Sequence, residues 1–163
     1  MAVHPGAQAV RPSLALNLDL SHGRPGASAR VEVYERATTA GLPGPGVRAA
    51  RVARLSLRGC IDEVAAGRLE RALEDLALRD LDQVLLDCAD LRHIDFRRLP
   101  ELVEALSRLD ARSGGVTLCG LSRYLRDLFR LAGCDGRLRC WSSADDLLET
   151  SPRPLEPGRE RAS

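Results

Sequence analysis

Between Asp62 and Trp141, apolar runs of strand length alternate with amphipathic stretches of helix length, and this alternation constrains the fold more than any other feature. Val84–Cys88 is a near-continuous apolar run of the kind buried on both faces of a parallel sheet. Ahead of it, Leu69, Ala72, Leu73 and Leu76 recur at spacings of three and four, which predicts an amphipathic helix over Val64–Leu78 with Arg71 and Asp75 paired on its wet side. Behind it, Leu99, Leu102, Val103, Leu106 and Leu109 mark a helix over Phe96–Arg112, where Arg97/Glu101 and Glu104/Arg108 have pairing distance at i,i+4. Ser113-Gly114-Gly115 stops that helix and Val116–Cys119 is the next strand. A third helix carries Leu121, Leu125 and Leu128 on one stripe, with Ser122 where an N-cap belongs and Gly133 as its stop. Leu138–Trp141 supplies a last strand, and Ser142 or Ser143 with Asp145 or Asp146 forms a capping box for a short helix ending near Glu149. Strands joined by helices of this length require parallel, right-handed crossovers.

Upstream the pattern changes. Val31–Arg36 and Val47–Leu57 read as strands on either side of a Pro- and Gly-rich loop, Thr39–Gly46, which suggests an antiparallel hairpin with a long connection. Residues 1–28 are rich in Ala, Gly, Pro and Ser and read as a flexible arm. Within it, the alternation of Leu14, Leu16, Leu18 and Leu20 fits either a strand or a transient segment. Residues 151–163, rich in Pro and Arg, read as a disordered tail, which leaves one domain over 29–150. The expected fold is α/β, a mixed, mostly parallel sheet of four to five strands with helices packed chiefly on one face.

Composition narrows the function classes. The 24 basic residues, all Arg, nearly balance 23 acidic ones, and no stretch forms a basic block, so a nucleic-acid partner is not expected. Five cysteines show no CxxC spacing and no Cys/His cluster, which gives no metal site and favours a reducing, cytoplasmic setting. No apolar run reaches the roughly 18 residues of a membrane span. No Ser/His/Asp order, phosphate-binding Gly loop or paired carboxylate motif stands out, so neither an enzyme nor a cofactor is expected.

The most telling stretch is VLLDCADLRHIDFRRL, Val84 to Leu99. Its apolar run ends in Asp87 and Cys88, a polar bend leads to Ile94 and Asp95, and a helix follows. With the LRGCID turn (Leu57–Asp62), the GVTLCG strand and LFRLAG (Leu128–Gly133), in this order and spacing, the sequence resembles the STAS domain. That module is shared by anti-sigma factor antagonists and the cytoplasmic tails of sulfate transporters. The resemblance implies a regulatory module in which the aspartate is followed by two small hydroxyl residues, a glycine and an aliphatic. The first hydroxyl is the phosphorylation site of a partner switch. Here those positions are Phe96, Arg97, Arg98 and Leu99. A phosphoryl group needs a nucleophilic side-chain atom, such as the hydroxyl oxygen of the family pattern, and Phe96 has none.

Six residues are candidates for a partner-binding surface: Asp62, Asp95, Phe96, Arg97, Arg98 and Glu101. Asp95 and Asp62 fit helix N-caps as readily as partner contacts. Arg97 and Arg98 oppose the dipole of a helix start, so they are either a solvated pair balanced by Glu101 or part of a contact surface. Phe96 belongs to that surface or folds under the helix as core. His93 reads as a loop histidine. The resemblance implies a non-catalytic regulator that binds an anti-sigma factor or related kinase-like ATPase. The alternatives are an accessory subunit of an ABC-type lipid transporter, or a module binding a nucleotide or other anion where Arg97 and Arg98 meet the helix start.

Overall fold

The computed structural model describes residues 12–21, 26–36 and 50–149. Its six strands form one sheet in sequence order: β1 (Leu14–Asp19), β2 (Ala27–Arg36), β3 (Ala50–Ile61), β4 (Gln83–Ile94), β5 (Val116–Cys119) and β6 (Arg139–Trp141). The first two pairings are antiparallel, and β3·β4, β4·β5 and β5·β6 are parallel. The crossovers carry α1 (Glu63–Ala77), α2 (Leu99–Arg112) and α3 (Arg123–Leu131), and α4 (Ala144–Glu149) follows β6. A 3-10 turn, Phe96–Arg98, precedes α2.

One apolar cluster joins Leu55, Leu57, Leu86 and Leu118 of the sheet to Leu69 and Leu73 of α1, Leu102 and Leu106 of α2, and Leu125 and Phe129 of α3. In α1 and α2 these are the stripes that the spacing predicts, whereas in α3 Phe129 is buried beside Leu125 and the expected Leu128 is only partly buried. The opposite face of the sheet holds a smaller cluster, where Val52, Leu85 and Cys119 meet Ala144 of α4. Most of the helical packing is thus on one face, and α4 is the exception.

Four details differ from the sequence reading. The sheet has six strands, because the alternating leucines do form β1, in register with β2 from Leu14 opposite Val33 to Asp19 opposite Ser28. That strand falls inside the stretch expected to be a flexible arm; residues 1–11 of the arm and the tail 151–163 lie outside the described residues. β4 does not end at Cys88 but runs on through the expected polar bend to Ile94. The reason lies in its pairing with β3. One additional β4 residue is accommodated between Asp87 and Asp90, and another between Leu91 and His93, and these irregularities break the two-residue alternation by which a strand is recognised. Lastly, the helix expected from Phe96 starts as a single 3-10 turn, and the α-helix proper begins at Leu99, with Pro100 in its first turn where no intrahelical N–H is needed.

Candidate partner-binding site

β3, β4 and β5 are adjacent and parallel, so the helical segments that follow them all start at the same end of the sheet. Each start is capped from within the chain. Asp62 Oδ1 accepts from the Ala65 N–H at 2.8 Å at the start of α1, and Ser122 Oγ accepts from the Leu125 N–H at 3.2 Å at the start of α3. Between them Asp95 Oδ1 accepts from the Arg97 N–H at 3.0 Å, while the Asp95 N–H donates to Ile61 O at 2.8 Å and ties the turn to the end of β3. Asp62 and Asp95 therefore have the cap geometry that their types favour.

The Arg97 side chain, 83% exposed, folds back on Asp95 with Nη2 3.3 Å from Oδ2. Hydrogen bonds from the Arg97 side chain and then its backbone N–H hold the Asp95 carboxyl below the ordinary carboxylate range. Arg98 has another role. Its Nη1 lies 2.7 Å from Glu101 Oε2 and its Nη2 3.3 Å from Glu70 Oε1, so one guanidinium links α1, the turn and α2. Gly67 of α1 lies beside that fork, and a Cβ there would make only ordinary contact, 4.0 Å from Nη2. The Arg97/Glu101 pair that the spacing suggests does not form, because Glu101 is taken by Arg98 and Arg97 by Asp95. Arg98 is accordingly a cross-brace within the molecule, while Arg97 faces solvent beside its cap.

Phe96 is not core: it is 45% exposed. Two further large apolar side chains are exposed at equivalent places, Val64 at 46% in the first turn of α1 and Tyr124 at 50% in the first turn of α3. Three neighbouring strand-to-helix entries thus each present one apolar side chain to solvent. His93 is not a loop histidine but a β4 residue, and its ring stacks on Tyr124 with centroids 5.8 Å apart and Nδ1 2.7 Å from the phenol oxygen. Val64 and Tyr124 were not among the residues singled out from sequence. For Tyr124 a signal existed: with two Phe, two Tyr and one Trp in the chain, an aromatic outside the leucine stripe of its helix stands out.

Phe96, Tyr124 and Arg97 are of the residue types enriched at contacts between proteins. Among the described residues no group of three or more His, Cys, Asp or Glu is placed to hold a metal ion, and no helix is long and apolar enough to cross a membrane.

Comparison with known proteins gives the fold a family. The family model of the STAS domain matches residues 47–147. No curated protein matches the chain. Among solved structures, an anti-sigma factor antagonist from Mycobacterium paratuberculosis is similar with a TM-score of 0.52 and 19% identity, over 72% of this chain and 91% of that one. The anti-sigma factor antagonist SpoIIAA in its unphosphorylated form is similar with a TM-score of 0.50 and 14% identity, over 60% of this chain and 84% of that one. At these identities the likeness to the solved structures is one of fold, and together with the match over most of the sheet and its crossovers it leads to one conclusion: the chain belongs to the STAS domain family.

Proposed function

We propose that this chain is a non-catalytic STAS regulator that docks a protein partner through the end of the sheet carrying Val64, Phe96, Arg97 and Tyr124, and that it does so without a phosphorylation switch at residue 96. The observation that carries the reading is the exposure of Phe96 at the helix entry where the family resemblance places a phosphoacceptor hydroxyl. An exposed ring there costs solvation and contributes nothing to the core, which favours a contact role. By its likeness to anti-sigma factor antagonists, the partner is an anti-sigma factor or a related kinase-like ATPase of the soluble type. Binding is then governed by the amounts of the two proteins and not by their modification state.

The test is a binding titration of the purified chain against a kinase-type anti-sigma factor from the same organism, with and without prior incubation with ATP. Affinity is expected to be the same in both, with no phosphate on the chain. Phe96→Ala is expected to weaken the complex by about 2 kcal/mol or more, as truncation of a central aromatic contact does. Unchanged affinity in Phe96→Ala, or a phosphorylated chain that no longer binds, overturns the reading.

A further inference from the structure

Next to the docking end, where β3 and β4 are paired out of step, residues of both strands line an open cleft of about 510 Å³. Its walls include Arg58 and Cys60 of β3, Asp90 and Arg92 of β4, and the backbone of Gly26 and Gly59. The cleft exists because of the irregular pairing described above. The two additional β4 residues fall at Asp87–Asp90 and Leu91–His93, so β4 pulls out of step with β3 along this stretch. Its β2 side is closed by a tight approach: Gly26 O accepts from the Cys60 N–H at 2.9 Å, and Gly59, at φ 84°, leaves no space for a side chain, since a Cβ there would lie 1.8 Å from Gly26 O. Such a glycine is what close backbone packing requires.

The charges in this cleft are unbalanced. Arg58 Nε reaches Asp90 Oδ2 only at 3.8 Å, and both side chains are well exposed. Among the described residues the Arg92 side chain makes no hydrogen bond or ion pair. One guanidinium is therefore held loosely by a single carboxylate, and the other has no partner among the described residues. Arg97 and Arg98 differ, the first being bound to its cap and the second to Glu70 and Glu101. If the chain takes a small anion, the available cations are in the cleft and not at the helix start.

We infer that the cleft along β3 and β4 binds a small phosphate ester, its phosphoryl oxygens taken by Arg58 and Arg92 and its organic part lying against Ala89. A dianion displaces the weakly held Asp90 from Arg58 and gives both forks charge-assisted hydrogen bonds, which a single carboxylate does not. The size suits a small molecule. This inference does not rest on the docking proposal: the two sites share no residue, although Cys60 of the cleft is in register with His93, whose ring stacks on Tyr124.

The test is calorimetric titration of the full chain with phenyl phosphate, with benzoate as the singly charged control. Phenyl phosphate is expected to bind saturably and at least about tenfold more tightly than benzoate. Arg58→Ala and Arg92→Ala are each expected to weaken it by about tenfold, Asp90→Asn to tighten it by about threefold by removing the competing carboxylate, and Arg97→Ala to leave it unchanged. A second readout locates the ligand: in a Cys140→Ser background, phenyl phosphate should slow alkylation of the exposed Cys60. Absence of saturable binding, equal affinity for benzoate, or binding that survives loss of both cleft arginines overturns the inference. So does binding lost in Arg97→Ala, which would place the anion at the turn.

Discussion

Arg54 and Asp87 are joined across β3 and β4 by two hydrogen bonds to one oxygen, Nε at 3.2 Å and Nη2 at 2.6 Å from Oδ2, on the face of the sheet that α4 covers. Asp87 is 8% exposed, and the remaining nitrogen of the fork, Nη1, reaches Asp145 Oδ1 of α4 at 2.8 Å. A carboxylate at this depth is tolerable only because its partner is fixed beside it. Arg54 therefore serves both to neutralise the sheet and to seat α4.

Removing one member of this pair should be costly, and removing both should not. Asp87→Ala is expected to destabilise the fold by about 3 kcal/mol, since it leaves a half-buried guanidinium with only an exposed partner. The double change Arg54→Met, Asp87→Leu is expected to fall within about 1 kcal/mol of the parent. Urea unfolding of the two variants beside the parent checks both values, and equal losses in the single and double variants would contradict this account.

Arg98 and Arg97 are neighbours with separable roles. Arg98→Ala is expected to cost about 1 kcal/mol, as both carboxylate partners are partly exposed, and to leave partner affinity nearly unchanged. Arg97→Ala should reverse the pattern, with near-parental unfolding and weaker binding. Denaturation and binding titrations on the same two proteins distinguish the roles.

The turn at Asp95 predicts a pH dependence with a definite sign. The folded-state carboxyl titrates below its ordinary value of 3.8, held there first by the Arg97 side chain and then by its N–H. A depressed folded value means that the cap's contribution is complete above the unfolded value and is lost as pH falls through the folded one. Asp19, held by the Ser21 hydroxyl and N–H, behaves alike. Carboxyl carbon shifts followed by NMR should show both groups titrating below the ordinary range, and Asp95→Asn should flatten the acid limb of the stability curve.

The thiols divide by burial. Burial and the nearby Asp87 charge push the Cys119 thiol up to about 12 and Cys88 higher still, so neither forms thiolate at neutral pH. Cys134 is buried as well, while Cys60 and Cys140 are exposed. Iodoacetamide at pH 8 should modify two cysteines in the native protein and all five after denaturation, as read by intact mass.

Much of this architecture is legible in the sequence because it rests on local spacing. The three- and four-residue recurrence in α1 and α2 and the apolar run at the start of β4 follow directly from which faces are buried. The second half of β4 was hidden because Ala89, Asp90 and Arg92 are exposed and the pairing is irregular there, so no alternation survives to be read. At the site, the caps by Asp62, Asp95 and Ser122 are local and visible. The engagement of Arg98 by Glu70 spans 28 residues, and the pairing of His93 with Tyr124 spans 31, so neither leaves a mark on neighbouring positions.

The three self-capped entries bear on what a single substitution can change. At each of them a side-chain oxygen of the chain already accepts from a first-turn amide. At the middle entry the turn is fixed further, since Arg98 pins it to two helices. A change at position 96 alone therefore alters which side chain is offered to solvent and leaves the scaffold that carries it in place.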